Sequence, residues 1–133
     1  MTAKVVYEGD LRCSMTHLYS GSQIESDAPL DNQGLAQRFS PTDLTATSLG
    51  SCMMTVMGIK ARDMGLNLKG TQIEVTKVMA ANPRRIAEIH CTLNFPPNNF
   101  TDKDKTILEN TARTCPVSYS LHPDIKQLLT FNW

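Results

Sequence analysis

The chain has 133 residues, of which 41% are apolar, and this is enough for one domain with a single hydrophobic core. Its 13 basic and 13 acidic residues balance to a formal net charge of zero, and they form no basic run. The charge patterns that attract nucleic acids or anionic membranes are therefore absent. We expect one domain, residues 1–133, with neither nucleic acid nor membrane as a partner.

The N-terminus alternates apolar and polar residues and lacks the apolar run of a signal peptide, which favours a cytoplasmic location. Thiols are kept reduced in that compartment. We therefore expect free, catalytic or ligating thiols rather than a disulfide framework for the four cysteines Cys13, Cys52, Cys91 and Cys115.

The first quarter of the chain has the alternation and turn residues of a β meander. Turn chemistry at Glu8-Gly9-Asp10 and at residues 20–23 predicts strands at about 3–8, 11–18 and 22–26. Three strands joined by such short turns form an antiparallel sheet. A turn-rich loop then leads to the next element.

A long helix is predicted to begin near Pro41. Ser40 can cap its free amides, and Asp43 stands where the acid of a capping box stands. No residue between Asp43 and Lys60 is charged, and small residues alternate with Leu and Met on every face. A helix that is apolar all round is buried. Because the chain has few other segments to cover this helix, we expect a second copy of the chain to do so.

The remaining elements predict a mixed fold. Residues 71–80 and 85–95 read as a hairpin, and Thr101 with Asp104 caps a second helix that runs to about Thr114. A last strand is expected over residues 124–131. Strands that occur in runs rather than in strict alternation with helices indicate an α+β fold, here with antiparallel sheets.

Two cysteines have surroundings that suggest chemistry, although any single cysteine is more often a small packing residue. Cys115 precedes a proline at a helix start, where free amides favour the thiolate. Cys52 lies inside the apolar helix, so its reactivity requires a nearby cation. Arg12 and Arg38 are the candidates, and Asp43 either orients such an arginine or caps the helix.

Geometry limits how Asp43 and Cys52 can share a site. Nine residues along a straight helix place them about 13 Å apart and on opposite faces. They can meet if the helix is broken near Gly50 or if a second chain supplies Asp43.

A metal site or other cofactor is not expected. His17, His90 and His122 show none of the spacings of zinc ligands, and the chain has no phosphate-binding or dinucleotide-binding glycine motif. Cys13 and Cys91 lie on predicted strands without a motif, and we expect them to be packing residues.

The segments Ser40-Pro-Thr-Asp-Leu44, with Cys52 nine residues past the acid, and Cys115-Pro-Val-Ser118 resemble the OsmC/Ohr family of osmotically induced and organic-hydroperoxide-resistance proteins. This resemblance implies an intertwined α+β homodimer with long central helices and thiol sites at the subunit interface. It also implies that Cys52 is the peroxidatic cysteine and Cys115 the resolving one. The supporting arginine matches Arg12 first and Arg38 second, and Asp43 replaces the family's glutamate.

The implied function is a thiol-dependent peroxidase in oxidative-stress defence. Cys52 would reduce an organic hydroperoxide, Cys115 would form the disulfide, and an external dithiol would reduce it. One alternative is a non-enzymatic dimer that binds a small apolar ligand between its subunits. Another is a redox-sensing or disulfide-exchange protein that uses the same thiol pair.

Overall fold

The computed structural model describes residues 1–133 and contains six strands, three α-helices and one short 3-10 helix. The elements, in chain order, are β1 Ala3–Gly9, β2 Arg12–His17, β3 Gln23–Asp27, the 3-10 helix Leu30–Asn32, α1 Pro41–Asp63, β4 Gln72–Ala80, β5 Arg85–Asn94, α2 Asp102–Ala112, α3 Pro116–Ser120 and β6 Lys126–Asn132. The predicted α+β class is confirmed. None of the helices has the length and hydropathy that a membrane span requires.

The chain divides into two compact units, residues 1–45 and 46–133. The first contains the antiparallel sheet β1-β2-β3, as predicted. The second contains the sheet β4-β5-β6 together with α2 and α3.

In the second sheet the last strand has the direction opposite to our expectation. The hairpin β4-β5 is antiparallel as predicted, but β6 pairs in parallel with β5, so the prediction of purely antiparallel sheets is wrong for this pair. The segment between them contains α2 and α3 and is long enough to return the chain to the end of the sheet where β5 begins.

The predicted caps are present at the helix ends. At α1, Ser40 N–H donates to Asp43 Oδ2 at 2.9 Å, and Asp43 N–H donates to Ser40 Oγ at 3.0 Å. Thr101 and Asp104 form the same capping box at α2. After α1, Gly65 has a φ of +71° and Leu66 N–H donates to Ala61 O, which ends the helix.

The core of the second unit is built from one face of α1, from β5 and from α2. Its fully buried large side chains are Leu49, Met53, Met57, Ile89, Leu93 and Leu108, with Cys91 and Cys115.

In the single chain α1 is buried on one face only, so its burial on every face by a second copy stays a prediction. Thr47, Ser51, Thr55 and Ile59 are exposed, because the elements of one chain cover only the face of α1 that carries the leucine and methionines. Thr55 Oγ1 bonds the carbonyl of Ser51, which satisfies this hydroxyl on the helix itself.

Candidate functional site

The structure brings the thiols of Cys52 and Cys115 together, although 63 residues separate them in the chain. Cys52 lies on α1 and packs against the core while remaining partly exposed. Cys115 is fully buried and directly precedes α3, after the short turn that follows α2. The Cys52 side chain lies close enough to Cys115 to raise the pKa of the Cys115 thiol, and both cysteines are free thiols. Two free thiols that lie close together are the starting point for a disulfide.

The environment of Cys115 keeps its proton in place. Burial raises the pKa of this thiol, and the neighbouring Cys52 side chain raises it further. Ser118 N–H donates to Cys115 Sγ at 3.3 Å, and the amides of α3 lower the pKa without overcoming the other effects. The expectation that the helix start favours a Cys115 thiolate is therefore wrong, because burial outweighs the free amides.

A third thiol lies in the same core. Cys91 on β5 is fully buried, and burial, with a smaller contribution from Cys115, raises its pKa to about 11. Such a thiol is a poor nucleophile at neutral pH. No group of three or more His, Cys, Asp or Glu side chains is arranged to hold a metal ion.

Arg12 is fixed within the first unit by two residues. Its Nε donates to Asp27 Oδ1 at 2.7 Å and its Nη2 donates to Asp27 Oδ2 at 2.9 Å, which is the bidentate geometry of a strong ion pair. Nη2 also donates to Gln37 Oε1 at 3.0 Å. Asp27 is 4% exposed, and the hydrogen bond from Arg12 lowers the pKa of its carboxyl.

Sequence reasoning missed Asp27 and Gln37. The signal for Asp27 was in the predicted meander, because antiparallel pairing of β2 and β3 places Arg12 directly opposite Asp27. An acid opposite an arginine is a favourable cross-strand pair. We predicted that the third strand ends at residue 26, one residue before this acid. No sequence signal indicates Gln37, which lies in a loop.

Arg38 and Asp43 occupy different environments from Arg12. Arg38 Nε donates to Glu25 Oε2 at 2.8 Å, but the two side chains are 47% and 42% exposed, so this is a surface ion pair. Asp43 is the acid of the α1 capping box. α1 is continuous through Gly50, so the break that would let Asp43 approach Cys52 within one helix is absent.

Comparison with solved structures identifies proteins of similar fold. A protein described as an osmotic stress induced and detoxification response protein, from Psychrobacter arcticus 273-4, is 55% identical with a TM-score of 0.95, over 99% of this chain and 96% of that chain. The organic hydroperoxide resistance protein OsmC of Legionella pneumophila is 14% identical with a TM-score of 0.76, over 100% and 98% of the two chains. OhrB of Bacillus subtilis, an organic hydroperoxide resistance protein, is 17% identical with a TM-score of 0.72, over 99% and 98%.

A search of curated proteins finds no match to the sequence. Comparison with protein families does find one. The family described as OsmC-like protein matches residues 33–127, which include both Cys52 and Cys115 and cover well over half of the chain. The chain therefore belongs to the OsmC/Ohr family.

Proposed function

We propose that this protein is a thiol-dependent peroxidase that reduces organic hydroperoxides through Cys52 and Cys115. The observation that carries the proposal is the proximity of these two thiols in the folded chain. Two structural neighbours are named organic hydroperoxide resistance proteins, which supports the choice of substrate class.

Burial assigns a different role to each sulfur. Cys52 is partly exposed, whereas Cys115 is fully buried with a raised pKa. A protonated Cys115 can donate its S–H to a Cys52 thiolate, which stabilises the charge on Cys52. Cys52 is therefore the attacking thiolate and Cys115 the resolving thiol.

The reaction runs in three balanced steps. The Cys52 thiolate attacks the terminal oxygen of ROOH, the O–O bond breaks, and a proton released from the site completes ROH, leaving a Cys52 sulfenic acid. Cys115 then attacks the Cys52 sulfur, an S–S bond forms, and the sulfenic oxygen leaves as water. An external dithiol reduces this disulfide by thiol–disulfide exchange and is itself oxidised.

Arg12 is the arginine that we assign to this chemistry. A guanidinium stabilises both a thiolate and the negative charge that develops on the leaving oxygen. Arg12 is held by a buried carboxylate, whereas Arg38 belongs to an exposed ion pair. A side chain that is already fixed supports a transition state better than a mobile one does.

We also propose that the protein acts as a homodimer. One face of the first sheet exposes apolar side chains: Val5 is 60% exposed, Tyr7 64% and Ile24 52%. Apolar surface of this extent usually belongs to an interface. Because α1 is not broken near Gly50, Asp43 can share a site with Cys52 only if the two residues come from different chains of a dimer. Sedimentation equilibrium gives the oligomeric mass, and a monomer at micromolar concentration would contradict this part of the proposal.

The peroxidase is tested by adding one equivalent of cumene hydroperoxide to the fully reduced protein and mapping the oxidised peptides by mass spectrometry. A Cys52–Cys115 disulfide is expected. Cys115→Ser should stop at a Cys52 sulfenic acid, and Cys52→Ser should form neither product. Thiols that stay unchanged after prolonged exposure would refute the peroxidase function.

A ligand-binding function is the second candidate. A cavity of about 410 Å³ lies between α1 and β4, and Gly50, Met54, Ile73 and Val75 are part of its lining. Its volume is within the range of small-molecule sites. Inert thiols together with a small apolar compound that co-purifies with the protein would favour this function.

A further inference from the structure

A serine of α3 and a glutamine of β6 bind each other through two hydrogen bonds. Ser118 Oγ donates to Gln127 Oε1 at 2.7 Å, and Gln127 Nε2 donates to Ser118 O at 3.2 Å. Both residues are half-buried. The backbone of Gln127 is itself fixed, because β6 pairs with β5 and places Gln127 opposite Ile89. The Ser118–Gln127 pair therefore ties α3 to the sheet.

The same serine contacts the sulfur of Cys115. Ser118 N–H donates to Cys115 Sγ at 3.3 Å, and Cys115 is fully buried. α3 has only five residues, and a helix so short is not stable by itself in water. Packing of Val117 and Leu121 against the core and the two bonds with Gln127 support it. The direction of the Ser118 N–H thus depends on contacts from outside α3.

The step that forms the disulfide needs negative charge on the Cys115 sulfur. This sulfur attacks the sulfur of the Cys52 sulfenic acid, the Cys115 S–H proton goes to the sulfenic oxygen, and that oxygen leaves as water. Burial opposes ionisation of Cys115, and the Ser118 N–H favours it. A donor that already points at the atom where charge develops needs no reorganisation during the reaction, which lowers the barrier.

We propose that Gln127 is a positioning residue for Cys115: it fixes Ser118 so that the Ser118 N–H stays directed at the attacking sulfur. This inference rests on the proposed peroxidase function and concerns only its second step. Loss of the Gln127 side-chain bonds should slow formation of the disulfide and leave formation of the Cys52 sulfenic acid unchanged. A general loss of stability would not separate the two steps in this way.

Three variants and one control test this role. Gln127→Leu removes both bonds and keeps a side chain of similar size. Ser118→Ala removes the bond from Oγ, but it keeps the N–H at the sulfur and the carbonyl that Gln127 binds. The double variant shows whether the two side chains act as one unit. The matched control is Gln72→Leu, because Gln72 is an exposed glutamine on β4, which is not a neighbour of β6 in the sheet.

Two assays are applied to each full-length variant. In the first, a single turnover with cumene hydroperoxide is quenched at successive times, and mass spectrometry follows the sulfenic acid and the Cys52–Cys115 disulfide separately. The second uses no peroxide: dithiobis(nitrobenzoic acid) converts Cys52 to a mixed disulfide. Cys115 then attacks the Cys52 sulfur, loses its proton to solvent and displaces the coloured thiolate. Peptide mapping confirms that the product is the Cys52–Cys115 disulfide.

The expected changes are confined to the step that Cys115 performs. Gln127→Leu should form the disulfide about tenfold more slowly in both assays, the size of one or two neutral hydrogen bonds, and form the sulfenic acid within about twofold of the unmodified rate. Ser118→Ala should be about threefold slower, since it loses only one bond. The double variant should be no slower than Gln127→Leu, and Gln72→Leu should change neither rate.

The outcomes separate failure of the positioning role from failure of the proposed function. The role is overturned if Gln127→Leu forms the disulfide at the unmodified rate or faster, or if it slows sulfenic acid formation equally. Independent effects that multiply in the double variant would also overturn it. If Gln127→Leu does not fold, Ser118→Ala decides by the same criterion. If the unmodified protein does not react with hydroperoxide, the peroxidase function fails, and the mixed-disulfide assay still decides whether Gln127 controls Cys115.

Discussion

Oxidation of the Cys52–Cys115 pair should stabilise the folded protein. The bond would close a loop between cysteines that are 63 residues apart in the chain. A loop of that length removes about 4 kcal/mol of conformational freedom from the unfolded state. Because the two thiols already lie close together, formation of the bond requires little movement in the folded state. With an m-value of about 2 kcal/mol/M, the midpoint of urea unfolding should rise by about 2 M.

The assay compares urea unfolding of the reduced and the disulfide forms, followed by circular dichroism. Both forms are held at the same protein concentration, since the stability of a dimer depends on it. Cys52→Ser, treated with the same oxidant, is the control and should show no shift. A disulfide form that unfolds at the same or a lower urea concentration than the reduced form would refute the reasoning that the folded chain holds these sulfurs ready for bonding.

Three further predictions concern individual residues. Arg12 lowers the pKa of Asp27 in the folded state. The ionised carboxylate therefore contributes its full stability above about pH 4, which is its pKa in the unfolded chain. This stability is lost as the pH falls through the lower pKa of the folded state. Asp27→Asn should therefore be less stable than the unmodified protein at pH 7, and this difference in stability should become smaller in acid. A difference in melting temperature that is the same at pH 7 and pH 3 would contradict this. Burial raises the pKa of Cys91 from 9.0 to about 11, so at pH 8 about 100-fold less of it is thiolate. Mass spectrometry after iodoacetamide treatment should find Cys91 labelled only in urea, and labelling in the native protein would show that the strand opens. A Cβ on Gly50 would lie 3.1 Å from Val75 Cγ2. Gly50→Ala should lower the free energy of unfolding by about 1 kcal/mol, because the cost of overpacking, about 1–3 kcal/mol, exceeds the gain in helix propensity, about 1 kcal/mol. A variant that is more stable in urea unfolding would contradict the close packing.

The candidate site was only partly visible in the sequence. Cys52 and Cys115 were singled out by their surroundings and by the family resemblance, and the structure places their thiols close together. The carboxylate that holds Arg12 was not found, because we assigned the acid to Asp43 by motif. In the structure Asp27 lies opposite Arg12 on the paired strand and binds it, and Asp43 forms the capping box with Ser40.

The sequence by itself determined the features that depend on neighbours within about four residues. The Ser40 and Asp43 capping box of α1 and the Thr101 cap of α2 both formed as predicted, because backbone amides at a helix start are satisfied by the nearest suitable side chain.

Only the tertiary structure decided the features that depend on distant segments. The parallel direction of β6 follows from the path of the chain through α2 and α3, and the exposed face of α1 follows from how few elements one chain can place around it. The pKa of Cys115 was set in the same way: the short helix α3 offers amides that favour a thiolate, but the core that surrounds the sulfur favours the thiol. Burial by residues far away in the chain outweighs a local dipole, and no local pattern records it.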